Sequence, residues 1–249
     1  MNRVLLLLLL SGAPWFAWAG ESIVVIDPGH GGHKDSGTQE ARTLSASNNA
    51  KSPGGLLEKD LTLALSLEIK KQIATLASAH PDTKIECVMT RTDDSNPDFA
   101  ARAATCAKGQ VPPAVIFSIH FNASEDHHAL GTLAVVHGAK LNKNYDADQS
   151  FALGLINAAN QGVREFVSNS KPLSLISDGH LHQGAGSNFF HQLALIPSLK
   201  GVPKCFLEVE FMDRSDVDEK LLKVREKAFP VIARHIADYL YSYCAAKPH

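Results

Sequence analysis

The sequence predicts an α/β fold in one domain, built on a mostly parallel central sheet. Ile23 to Ile26 is an unbroken β-branched run with no polar face, which suits a strand buried on both sides. Asp27-Pro28-Gly29 stops that run and delivers His30 on a glycine-rich loop, where open α/β sheets carry their chemistry. A chain of 249 residues, 45% hydrophobic and 20% charged, is long enough to bury one core of moderate size.

Residues 1–19 are set apart from the fold as a signal peptide. Arg3 supplies a positive start, Val4 to Leu10 an apolar core, and Ala17-Trp18-Ala19 a small-x-small cleavage site. The apolar run is short of the ~20 residues that span a bilayer. No second stretch approaches that length, so residues 20–249 are expected to be an exported, soluble domain without a stable membrane span. A formal charge of −2 gives no reason to expect a nucleic-acid partner.

Export makes the four cysteines informative. Cys87 is early in a strand and Cys106 late in the helix after it; Cys205 and Cys244 repeat the arrangement. A strand and its following helix run antiparallel, which predicts the pairs Cys87–Cys106 and Cys205–Cys244. Those pairs, and the lack of any wall-anchoring module, favour a periplasm over full secretion.

Residues 33–56 are rich in Ser, Asn, Gly and Lys and read as a long loop holding His33 and Asp35. Glu58-Lys59-Asp60 opens a helix whose Leu61, Leu65, Ile69, Ile73 and Leu76 form one apolar stripe. Ile85 to Thr90 is the second strand, followed by a helix over about Asp98 to Ala107 that contains Arg102. Val115 to Ile119 is a third strand, closed by His120-Phe121-Asn122-Ala123. Thr132 to His137 reads as a strand and Ser150 to Val167 as a helix. Residues 168–200, with His180, His182 and His191, read as loops around the mouth of a site. In the last strand, Cys205 to Phe211, alternation puts Phe206, Glu208 and Glu210 on one face. Asp218 to Tyr243 is helical in pattern, with Pro230 expected to kink or restart it.

Taken singly, His30, Glu58 and His120 have ordinary readings as a loop histidine, a helix-end acid and a packed strand residue. Together they gather at one edge of the sheet. Two neutral imidazoles and one carboxylate can hold a Zn²⁺ ion and leave a coordination position open, the arrangement of catalytic zinc. A carboxylate outside the ligand set is then needed to move protons, and Glu208 or Glu210 is near enough in the chain pattern to serve.

Asp27-Pro28-Gly29-His30-Gly31-Gly32, Glu58-Lys59-Asp60-Leu61, Met89-Thr90-Arg91 and Ser118-Ile119-His120-Phe121-Asn122-Ala123 occur in that order. The set resembles the signatures of the zinc-dependent N-acetylmuramoyl-L-alanine amidases of the amidase 3 type, over about Ile23 to Tyr239. The resemblance implies a single three-layer α/β/α domain with one zinc per chain, held by His30, Glu58 and His120. It implies Glu208, three residues before a phenylalanine on the last strand, as the catalytic glutamate; Asn122, just past His120, is the candidate substrate contact. The implied activity is hydrolysis of the amide between N-acetylmuramic acid and L-alanine, with peptidoglycan as substrate partner. Departures from the pattern are Glu210 in place of a small residue, Asp213-Arg214 in place of Ser-Asn, no basic Arg-Gly element in Gly184 to Phe190, and the long loop at 33–56. A protein activator is not identified by the sequence. The competing reading is a non-catalytic wall- or metal-binding module that kept the site without turnover.

Overall fold

The computed structural model describes residues 22–32, 50–81, 83–140, 142–181 and 188–246, with residues 180 and 181 described as backbone only. The signal-peptide expectation, His33, Asp35 and His182 lie outside the described residues.

Six strands form one sheet: β1 (Ser22–Pro28), β2 (Ile85–Met89), β3 (Val115–Asn122), β4 (Thr132–Val136), β5 (Pro172–Ser177) and β6 (Lys204–Phe211). Their order is β2-β1-β3-β6-β4-β5, parallel throughout except where β4 meets β6. Helices α1 (Glu58–Ala79), α3 (Tyr145–Arg164) and α5 (Arg225–Ala245) cover one face; α2 (Phe99–Cys106) and α4 (Phe189–Leu195) cover the other. The architecture is the expected three-layer α/β/α domain.

β1 shows why its sequence is continuously apolar. Val24 and Ile26 face α1 while Val25 faces the opposite layer, and all three are buried. The predicted stripe of α1 is buried along its length, from Leu61 to Leu76. Asp98 caps α2 by accepting a hydrogen bond from the Ala101 amide at 2.7 Å.

Several expectations need correction. Residues 168–200 are not simply loops: they supply β5 and α4. β5 is an edge strand that starts on a proline and is only half buried, so it lacks a clear apolar period. His191 sits on α4, which packs against β6 through Phe189 and Phe190 rather than lining the metal-ligand edge. The last helical segment is interrupted at Lys223 and Val224, after a π-helical turn over Asp218–Leu222, and α5 runs through Pro230.

The cysteines are present as thiols. Cys87 packs with the α1 face and Cys106 belongs to the opposite layer, so the sheet itself separates the predicted pair Cys87–Cys106. The expected Cys205–Cys244 bridge is not formed either, although both residues are buried on the same face. Burial pushes the thiols of Cys106 and Cys205 well up, and Cys87 up to about 12, so they behave as small apolar side chains.

A bulge in β6 changes the expected alternation. His120 pairs with Glu208 and Asn122 with Phe211, so two steps on β3 match three on β6. Glu210 therefore leaves the face of Phe206 and Glu208. Its carboxylate accepts from the Gly131 amide (2.6 Å), the Phe211 amide (2.8 Å) and the Ser170 hydroxyl. Asn160 donates to Ser170 and Thr132 to complete that buried network.

Beneath the end of β1 lies a second buried network. Arg102 is fully buried and pairs with Asp27 at 2.8 Å, while Ser118 and Thr90 donate their hydroxyls to the same carboxylate. Burial works to raise the Asp27 carboxyl, but the Arg102 charge and these hydrogen bonds hold it below the ordinary aspartate value. A depressed folded-state pKa gives stability that is present above the unfolded aspartate value and lost as pH falls through the folded one. Wild-type Tm should thus fall more steeply than that of Asp27→Asn as pH drops below about 5, through the ordinary aspartate value and beyond it. Parallel acid slopes for the two proteins would exclude this contribution.

Candidate metal centre

His30, Glu58 and His120 converge at the carboxyl edge of β1 and β3. One ligand atom from each lies within 4.8 Å of the others. His30 Nε2 is 2.9 Å from Glu58 Oε2, His120 Nδ1 is 3.1 Å from Glu58 Oε1, and the two ring nitrogens are 3.2 Å apart. This is the ligand set expected from sequence, brought together from a loop, a helix start and a strand end.

Each ligand is held by a local device. His30 adopts φ 60° and follows Gly29, whose added Cβ would lie 2.4 Å from the His120 ring. Only glycine lets the two imidazoles meet. Gly31 has φ 129°, and a Cβ there would strike the Ser95 carbonyl at 2.0 Å. Two guanidinium groups then grip the carbonyls of this loop. Arg91 donates to Pro28 O (3.0 Å) and Gly29 O (2.7 Å); Arg102 donates to Pro28 O (2.8 Å) and His30 O (2.6 Å). The Thr62 hydroxyl adds a bond to Gly29 O at 2.8 Å, tying the loop to α1.

Glu58 is the first residue of α1, and its Oε1 accepts the Phe121 amide at 3.0 Å. Its Oε2 accepts the Ala50 amide at 3.3 Å. Burial works to raise this carboxyl, but the His30 charge and the hydrogen bonds from both histidines hold it far below the usual range. It stays an anion. His120 stacks on Phe206, with ring centroids 5.5 Å apart, and Phe206 in turn stacks on Phe190 at 4.4 Å.

Glu208 is the cross-strand neighbour of His120 on the same face. Its Oε2 is buried and has no hydrogen-bond partner among the described residues. Burial pushes its carboxyl up to about 7, with the His120 charge opposing and the Glu58 charge adding to the rise. Glu210, the other sequence candidate, is engaged in its own network beyond the bulge.

Asn122 ends β3, half buried, and its Oδ1 accepts the Ala123 amide at 2.8 Å. Asp213 and Arg214 secure the neighbouring loop: Asp213 accepts from the Ser124 amide and His127 Nδ1, and Arg214 donates to His128 O. Sequence reasoning did not assign Arg91, Thr62, Arg102 or Phe206 as supports of the ligands. The signal available for Arg91 was its place at the end of β2, and for Arg102 its position on a helix flanking the loop.

The donor set suits a divalent cation. A carboxylate anion and two imidazole nitrogens share one point, and buried Nδ1 of His30 has no hydrogen-bond partner among the described residues to fix the ring otherwise. His30, Glu58 and His120 would hold the ion, with Glu208 beside it but outside the ligand set.

Residues 24–238 match the Amidase_3 family model, described as N-acetylmuramoyl-L-alanine amidase. No match was found among curated proteins. Solved structures share the fold. The catalytic domain of CwlV, an N-acetylmuramoyl-L-alanine amidase from Bacillus (Paenibacillus) polymyxa var. colistinus, is 20% identical with TM-score 0.59, covering 91% of this chain and 99% of that one. The apo amidase Ami1 from Mycobacterium abscessus is 16% identical with TM-score 0.64, covering 89% and 98%. The CwlD amidase from Clostridioides difficile, solved in complex with the GerS lipoprotein, is 16% identical with TM-score 0.62, covering 91% and 100%.

Proposed function

This chain belongs to the Amidase_3 family of N-acetylmuramoyl-L-alanine amidases, and on that premise we propose that His30, Glu58 and His120 bind one zinc ion and that Glu208 is the catalytic proton carrier. The enzyme hydrolyses the amide between N-acetylmuramic acid and L-alanine of peptidoglycan. The observation that carries the reading is the convergence of the three ligand atoms within 4.8 Å inside the matched region.

His30, Glu58 and His120 would hold the ion, which would supply Lewis acidity for the scissile carbonyl and for a water whose pKa it would lower toward ~7. The protein supplies the rest. The Phe121 and Ala50 amides, which donate to the Glu58 oxygens, orient its carboxylate toward the ligand cluster. Phe206 fixes the plane of the His120 ring. Glu208 takes a proton from the attacking water as its oxygen bonds to the carbonyl carbon. It then gives that proton to the alanine nitrogen as the C–N bond breaks. A carboxyl poised near neutrality suits both transfers.

The substrate assignment predicts release of free stem peptides, beginning with L-alanine, from purified sacculi. Chelator should abolish that release and added zinc restore it, as read by mass spectrometry. Binding of sacculi without any amine released would favour the non-catalytic module instead. The chain is proposed to act after export, in a periplasm, on the strength of its leader-like residues 1–19. Among the described residues, no helix is long and apolar enough to cross a membrane.

A further inference from the structure

A cavity of about 290 Å³ opens at the end of the sheet opposite the metal ligands. His137 follows β4, which runs antiparallel to β6, and Lys204 begins β6, so the cavity sits at the end of the sheet away from the metal ligands. Its lining includes His137, Asn142, Lys143, Phe190, Lys200 and Lys204, with Asp148 beside them.

Lys204 is the unusual member. Its side chain is nearly buried, at 7% exposure, and its ammonium has no hydrogen-bond partner among the described residues. Asp148 supplies an opposite charge nearby, but its hydrogen bonds go to other groups. Asp148 Oδ1 accepts the Asn144 side-chain amide (2.9 Å) and the Lys204 main-chain amide (3.0 Å), while Oδ2 accepts the Asn142 side-chain amide (2.8 Å). Asp178, the other nearby carboxylate, is turned to His137 Nδ1 at 2.7 Å and to the Gly138 amide at 3.0 Å. The Lys204 ammonium is not among the fully buried polar atoms, so its tip stays accessible at the cavity while the rest of the residue is enclosed. Lys143 and Lys200, both exposed, add two more ammonium groups at the same opening. One wall is apolar: the Phe190 ring, stacked on His137 with centroids 5.9 Å apart, and Ala194.

We propose that this cavity is a second binding site, separate from the metal centre, for a small organic anion whose phosphate or carboxylate meets Lys204, Lys143 and Lys200 and whose apolar part lies on Phe190. The anion supplies the acceptor that Lys204 lacks. The cavity is large enough for a group of this size but not for a glycan chain.

The proposal is tested by calorimetric titration of the whole mature chain at low ionic strength with phenyl phosphate, benzoate and inorganic phosphate. Phenyl phosphate or benzoate should bind, and the stronger of the two identifies the anionic group. Inorganic phosphate should bind more weakly than phenyl phosphate if phosphate is that group. Lys204→Met should weaken binding at least about tenfold, the loss of one charged hydrogen bond. Lys143→Ala/Lys200→Ala, altering exposed residues only, should also weaken it. Glu208→Gln should bind as the wild type does, because the metal centre is at the opposite end of the sheet. No heat with either organic anion would overturn the proposal, as would affinity unchanged in both lysine variants. None of these readouts depends on amidase activity.

Discussion

Glu208→Gln should lower turnover on peptidoglycan by about 10²–10⁴-fold while leaving zinc content and Tm close to wild type. The substitution keeps the shape of the side chain but removes its capacity to accept and return a proton. Zinc uptake should survive because the three converging ligand atoms belong to His30, Glu58 and His120, not to Glu208. The fold should survive because the Glu208 Oε2 makes no hydrogen bond among the described residues that Gln would break. Glu210→Gln is the matched control: its carboxylate faces Ser170 and Gly131, so its effect should appear in stability rather than in turnover. Near-wild-type turnover by Glu208→Gln would remove it from the mechanism.

Arg102→Met should be among the most destabilising single changes, by about 3–5 kcal/mol in urea unfolding. Arg102 is fully buried, and its loss removes the charge partner of the Asp27 carboxylate, takes one of two guanidinium donors from Pro28 O and removes the guanidinium donor to His30 O. The same bonds shape the loop that presents His30, so zinc affinity should fall in whatever fraction remains folded. Asp27→Asn combined with Arg102→Met should recover part of the lost stability, because no unpaired charge is then buried. A loss of well under 1 kcal/mol in the single variant would show that water reaches the network.

Much of the fold was legible because its strands are buried on both faces. Residues such as Val24, Val25 and Ile26 leave no room for polar alternation, and the α1 stripe from Leu61 to Leu76 has a clean helical period. β5 and α4 were obscured for the opposite reason. An edge strand starting at Pro172 is half exposed, and α4 is a short helix whose phenylalanines answer to tertiary stacking on Phe206 rather than to a period. The three metal ligands were candidates by residue type and place, two at strand ends and Glu58 at a helix start, and the family resemblance implied the set. The bulge that separates Glu208 from Glu210 could not be read from alternation, since one extra residue reverses every later side chain. The Cys87–Cys106 pairing turned on a similar point. Cys87 and Cys106 are close in topology but lie on opposite faces of the sheet, which spacing along the chain does not report.

The most direct measurement is metal content of the purified chain after zinc loading and desalting, compared with His120→Ala under the same conditions. One zinc per folded wild-type chain, and essentially none in a folded His120→Ala, is the expected result. A well-folded wild-type chain that takes up no zinc, or a His120→Ala protein that holds it as tightly, would contradict the metal centre.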